Sequence, residues 1–82
     1  MKATVNKRVK ESRSDLADRL LVLREARGLT QQSLADAASV DRKTINRIEN
    51  DHFSPSIDTL LRLCNVLNTT PSRVLKGIAV ES

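Results

Sequence analysis

The stretch Thr30–Asn50, TQQSLADAASVDRKTINRIEN, holds two short amphipathic helical patterns joined by a break that leaves room only for a sharp turn. Thr30 is a good N-cap and Gln31 opens the first helix. Leu34 points inward, and the small Ala35 beside it lets two helix backbones cross closely. Ser39 stands where the chain must turn, and Val40 fills the gap between the helices. Asp41 is a second N-cap ahead of Arg42, after which Ile45 and Ile48 recur at helical spacing on the inner side.

The outward side of the second helix is then Arg42, Lys43, Thr44, Asn46 and Arg47. Two guanidiniums, an ammonium, a hydroxyl and an amide are the groups that read base edges and bind phosphates. A helix of this composition behind a tight turn matches a helix-turn-helix, whose second helix enters a DNA major groove.

Working outward, Ser14 is a plausible N-cap with Asp15 in the first turn, and Leu16, Leu20 and Leu23 form a core stripe that ends at Gly28. A helix over about 14–27 is therefore predicted, with residues 1–13 showing no convincing apolar period. Helix 2 is expected over Gln31–Ala38 and helix 3 over Arg42–Asn50. Ser56 caps a fourth helix, with Leu60, Leu63, Cys64 and Leu67 on one face. Thr70 caps a short fifth, with Pro71 at its first position and Val74, Leu75 and Ile78 on its apolar side. Leu21 and Val22 fall outside the stripe of helix 1, either as isolated exposed apolar residues or as a contact surface.

Scarce glycine and the absence of β-branched runs point to an all-α fold. The chain of 82 residues is expected to be one domain, and its single aromatic, Phe53, makes the core aliphatic. One cysteine and no apolar leader suggest a reducing cytoplasm; no apolar run approaches a membrane span. Charge is uneven. Residues 1–14 carry five cations against one anion, a net +4, whereas the remainder carries nine of each. The segment 1–13 reads either as a solvated tail or as a basic arm on DNA, followed by a domain over 14–78 and a tail over 79–82.

Catalysis has little to work with. His52 and Cys64 are the only residues of their kinds; Cys64 falls on the apolar face of helix 4, and His52 in a loop suits a surface or a phosphate better than a base. Clustered metal ligands, a phosphate-cradling glycine loop and a nucleophile elbow are all missing, so neither an enzyme, a metal nor a cofactor is expected.

Residues Leu16–Leu75 resemble the Cro/repressor type of helix-turn-helix domain, the lambda-repressor-like or XRE family, in the strings LREARGLTQQSLADAASV, INRIEN, PSIDTLLRLCNVLN and TPSRVL. The resemblance implies a compact five-helix domain with helix 3 as the recognition helix. It also implies an ion pair between Arg24 and Glu49 that ties helix 1 to helix 3, and it favours a phosphate contact at Gln31, where a helix N-terminus offers free N–H groups. The loop from Asn50, with His52, is a further phosphate candidate. Three positions depart from the family pattern: Ser39, Asp51 and Asn68 stand where glycine is usual. They put left-handed backbone geometry in question at each turn.

The function expected is sequence-specific transcriptional regulation, as a repressor, by a homodimer on a pseudo-palindromic double-stranded operator. Val74, Leu75 and Ile78 are the dimer candidates, with Leu75 the first of them expected to complete the core instead. With one domain, control would come from protein concentration, competition or a separate partner. The rival reading is an antitoxin that binds a toxin protein and autoregulates its operon.

Overall fold

The structure, a computed structural model, describes residues 2–51 and 54–78, with the backbone alone for residues 2–12. His52 and the tail 79–82 lie outside the described residues. Five helices follow in order: α1 (Lys2–Ala26), α2 (Gln31–Ala38), α3 (Arg42–Glu49), α4 (Ile57–Val66) and α5 (Pro71–Leu75). Helices α2 to α4 lie within a residue or so of the spans that caps and apolar spacing predict, and α5 starts where Thr70 and Pro71 place it but ends at Leu75, so that Ile78 lies beyond the helix rather than on its apolar side.

α1 differs. It begins at Lys2 rather than near Ser14, which lies inside the helix. The stretch before Ser14 contains neither proline nor glycine and is rich in Lys and Arg. Once Leu16–Leu23 are packed, extending a helix backwards through such residues is far easier than starting one, and it needs no apolar stripe.

The caps explain most of the other boundaries. Thr30 accepts from the Ser33 N–H while the Ser33 hydroxyl accepts from the Thr30 N–H, a reciprocal capping box. Ser56 and Thr70 accept from the N–H groups of Thr59 and Arg73. Asp41 holds the N-cap position of α3 in an extended conformation, but its side chain makes no capping hydrogen bond.

Three helices end the same way. After α1, the N–H groups of Gly28 and Leu29 return to the carbonyls of Glu25 and Arg24. After α2, those of Ser39 and Val40 return to Asp36 and Ala35, and after α4 those of Asn68 and Thr69 return to Asn65 and Cys64. This closure requires a left-handed residue, and Gly28, Ser39 and Asn68 have φ of 69°, 58° and 55°. Ser39 and Asn68 thus adopt the conformation that glycine would supply. Arginines cover exposed carbonyls at the ends of α2, α4 and α5: Arg62 donates to Ser39, Arg27 to Leu67, and Arg19 to Val74 and Lys76.

Phe53 lies outside the described residues, and among those described the core is aliphatic with one thiol. Leu16 and Leu20 of α1, Leu34, Ala35 and Ala38 of α2, Ile45 and Ile48 of α3, and Leu60, Leu63, Cys64 and Leu67 from α4 and its C-cap are all buried. Ala35 is completely inaccessible, which accounts for a small residue where α2 meets its neighbours. Leu23, Leu29, Val40, Val66 and Ile78 pack around the edge. On α5 the expected order is reversed: Val74 is in the core at 2% exposure, whereas Leu75 is 43% exposed. Val74 is therefore removed as a dimer candidate. A five-residue helix makes little more than one turn, so apolar spacing alone could not choose which of its residues faces inward. Leu21 is half-buried and Val22 exposed.

One polar contact sets the attitude of α3 to α1. The Arg24 guanidinium binds Glu49 through both carboxylate oxygens, at 2.7 Å and 3.0 Å, and donates a third hydrogen bond to the Leu29 carbonyl at 2.7 Å. The two side chains are only 11% and 5% exposed. Hydrogen bonding to Glu49 raises the Arg24 pKa above its ordinary value, against the opposing effect of burial. A guanidinium suits this site because its planar fork matches a carboxylate and still leaves a donor free.

Two stability outcomes follow from these features. Ser39→Gly relieves a left-handed serine and is expected to stabilise the domain by about 1 kcal/mol, net of the extra freedom glycine has in the unfolded chain. Asn68→Gly should give less, because asparagine tolerates that conformation better; urea denaturation of both variants checks the order. Glu49→Gln leaves Arg24 without its anion in a nearly closed site and should cost about 3–5 kcal/mol, while Arg24→Met with Glu49→Leu recovers most of the loss. The same denaturation series reads this, and a Glu49→Gln protein as stable as the parent would mean that the pair contributes nothing to holding α1 on α3.

Candidate nucleic-acid interface

α3 is eight residues long, and its two faces are sharply different. Ile45 and Ile48 are 1% and 2% exposed, whereas Arg42, Lys43 and Arg47 are exposed. Two turns of helix therefore carry three outward cations on a base fixed by two buried isoleucines. The body of the protein beyond residue 14 has no net charge, so this face is locally positive because of where the cations sit. The positive end of the α3 dipole lies at Arg42, although the carboxylate of Asp41 is adjacent.

The remaining outward candidates are engaged within the domain. Asn46 is half-buried, and its amide donates to the Gln31 side-chain oxygen at 3.3 Å. Gln31 in turn donates to Glu49 Oε1 at 2.9 Å. A continuous chain of polar contacts thus runs from Arg24 through Glu49 and Gln31 to Asn46. It joins α1, the first residue of α2 and the middle of α3. The amide of Asn46 retains an acceptor and a second N–H, so it is oriented by this chain and remains able to meet a base edge. Thr44 is half-buried.

Among the phosphate candidates, Gln31 is half-buried and held as described. Asn50 is exposed, and its side-chain N–H donates to the Asn46 carbonyl at 2.8 Å, closing the end of α3. His52 is outside the described residues. The structure brings Arg24, Gln31, Asn46 and Glu49 together, and it leaves Arg42, Lys43 and Arg47 as an open surface beside them.

Two features of this region escape a reading of residue spacing. The Gln31–Asn46 contact joins two polar residues that both look solvent-facing on a helical wheel. Arg13 donates to Asp51 at 2.8 Å across 38 residues of sequence, for which no local pattern gives a signal. Read alone, a negative charge at Asp51 disfavours a phosphate nearby; here it is matched by Arg13.

Groups suited to other chemistry are scarce. Among the described residues, three or more His, Cys, Asp or Glu side chains nowhere gather as they would around a metal ion. Cys64 is buried, and burial pushes its thiol pKa up, away from the reactive thiolate. Among the described residues no helix is long and apolar enough to cross a membrane.

Comparison with known proteins agrees with this geometry. The helix-turn-helix family model matches residues 20–74, from the packed part of α1 to Val74. The HTH-type transcriptional regulator ImmR of Bacillus subtilis is 32% identical over 60 residues, covering 73% of this chain and 47% of ImmR. The HTH-type transcriptional regulator DdrOP3 of Deinococcus deserti is 32% identical over 63 residues, covering 77% and 49%. The chain spans about half the length of these curated relatives. Among solved structures, the restriction-modification controller protein C.AhdI from Aeromonas hydrophila matches with a TM-score of 0.72 at 32% identity, covering 77% of this chain and 94% of that one. Five helices, a turn closed by Ser39 and a cationic third helix held by a buried arginine–glutamate pair thus coincide with the matched segment, and the chain belongs to the helix-turn-helix family of the Cro/repressor (XRE) type.

Proposed function

We propose that this chain is a sequence-specific DNA-binding transcriptional regulator, acting as a repressor, that reads an operator half-site through α3. The observation that carries the reading is the placement of Arg42, Lys43 and Arg47 on the open side of a helix whose other side is closed into the core. Arg42 and Arg47 suit bidentate contacts to guanine, Lys43 suits guanine or phosphate, and Thr44 and Asn46 add a hydroxyl and an oriented amide. Gln31, Asn50 and His52 would take phosphates at the border of the groove, and the basic start of α1 would add charge from outside it. The regulatory names of the matched relatives support the same direction.

A single domain of this size covers few base pairs, so a two-fold dimer that sets two copies of α3 about 34–36 Å apart gives the affinity and spacing a pseudo-palindrome needs. With Val74 in the core, the large apolar residues exposed among the described ones are Leu75, Ile57, Leu61 and Val22, at 43%, 73%, 50% and 62%, with Ile78 at the edge; Val22 lies on α1, apart from the α4–α5 group. Ile57 and Leu61 lie one turn apart on α4, which packs against α5.

Selection of bound sequences from random DNA tests the reading directly. Alanine at Arg42, Lys43 or Arg47 should leave thermal stability unchanged. Removing a base-reading group should cost about 1–3 kcal/mol of discrimination at one operator position, whereas removing a phosphate-binding group weakens all sequences alike. Unaltered binding in all three variants would remove α3 as the reader. For assembly, sedimentation at micromolar concentration is expected to give a dimer, and Leu75→Asp or Leu61→Asp a folded monomer with weakened operator binding. A parent protein that stays monomeric both free and on DNA would end the dimer proposal.

A further inference from the structure

Asp51 follows the C-cap of α3 with a φ of 59°, in the left-handed region that disfavours a residue with a Cβ. Its carboxylate accepts from Arg13 Nε at 2.8 Å, and both side chains are about a quarter to a third exposed, at 26% and 30%. An ion pair so open to water contributes little to stability, and glycine at the same place would carry no backbone strain. Stabilisation is thus a poor account of the pair, and orientation a better one.

Its position shows what would be oriented. Arg13 and Arg24 are eleven residues apart on α1, about three helical turns, and so share a face. Each holds an acid at the end of α3, Glu49 and Asp51. Arg24 grips where α1 is packed. Arg13 grips three residues before Leu16, the first core residue described along the helix. Beyond Arg13 the helical backbone continues to Lys2, about 16 Å at 1.5 Å per residue. That segment carries Lys2, Lys7, Arg8 and Lys10 against Glu11, while Arg13 is matched by Asp51.

We propose that Arg13–Asp51 is a positioning pair that fixes the basic first half of α1 to the end of the reading helix, so that this half binds the phosphates of the duplex α3 reads as a rigid extension of the same surface. The proposal rests on the DNA-binding reading above. Its ligand is the sugar–phosphate backbone, recognised by charge and independent of sequence.

The test uses the full chain. Asp51→Gly removes the carboxylate and the strain together, and Asp51→Asn keeps a residue tolerant of the left-handed region without the charge. Each is made alone and combined with the arm variant Lys7→Gln, Arg8→Gln, Lys10→Gln. Operator affinity is measured across a salt series, with amide hydrogen exchange of residues 3–12 and sedimentation on the same proteins. Both Asp51 variants should melt at or near the parental temperature, exchange faster in the first half of α1 and bind the operator several-fold more weakly. Their salt slope should be shallower by roughly 0.9 for every phosphate that the arm no longer neutralises. In the arm variant, changing Asp51 should have no further effect.

Several results would overturn the proposal alone: an unchanged slope in a parent that binds DNA, exchange no faster than in the parent, or an equal weakening from Asp51→Gly with and without the arm charges. The last would confine the pair's role to α3 itself. A changed oligomeric state with the parental slope would assign the arm to subunit assembly and also reject the phosphate role. A parent that selects no DNA sequence overturns the regulatory reading and this proposal together.

Discussion

The Arg24–Glu49 pair is the contact on which the working geometry depends. Apolar burial brings α1, α2 and α3 together, but a handful of aliphatic side chains constrains direction weakly. Leu34, Ile45 and Ile48 would tolerate small rotations of α3 about its own axis. The guanidinium would not, because it is closed on both Glu49 oxygens and on the Leu29 carbonyl at once. It therefore fixes the angle at which Arg42, Lys43 and Arg47 leave the surface. Glu49 passes that constraint to Gln31, and Gln31 to Asn46, so one nearly buried ion pair orients both the scaffold and part of the proposed reading face.

Helix ends are the second constraint. Five short or moderate helices lie among the described residues, so a large share of the backbone lies within a turn of a terminus. Side chains answer most of this demand. Thr30, Ser56 and Thr70 accept at N-termini, and arginines donate to carbonyls at three C-terminal ends. Among the described residues no buried side-chain nitrogen or oxygen lacks a partner. Arginine is thus used in two ways: Arg19, Arg27 and Arg62 hold the fold, while Arg42 and Arg47 remain open to a ligand.

How much of this could be read beforehand depends on how local the cause is. The spans of α2 to α4 and the start of α5 were legible because an N-cap, an apolar period and a left-handed C-terminal residue all act within a few positions. The inward set Leu34, Ile45, Ile48, Leu60, Leu63, Cys64 and Leu67 was legible for the same reason, as was the outward placement of Arg42, Lys43 and Arg47. The start of α1 was not, since a helix that continues from a packed segment needs no signal beyond the absence of breakers. The choice between Val74 and Leu75 was not, because one turn has no period to measure. Arg13–Asp51 joins residues whose proximity is decided only by how α1 crosses the end of α3.

The hydrogen bond from Asn46 to Gln31 has a consequence for how such a domain can diverge. The outer cations at 42, 43 and 47 make no described side-chain contact within the protein, so the residues there can be exchanged without touching the scaffold. Asn46 belongs to both systems, since it borders the open cationic face and also completes the chain of contacts that begins at Arg24. On the proposed reading, a new binding preference can therefore be acquired freely at three positions of α3. At the fourth it arrives only with a matching change in α2, so that 31 and 46 would drift as a couple.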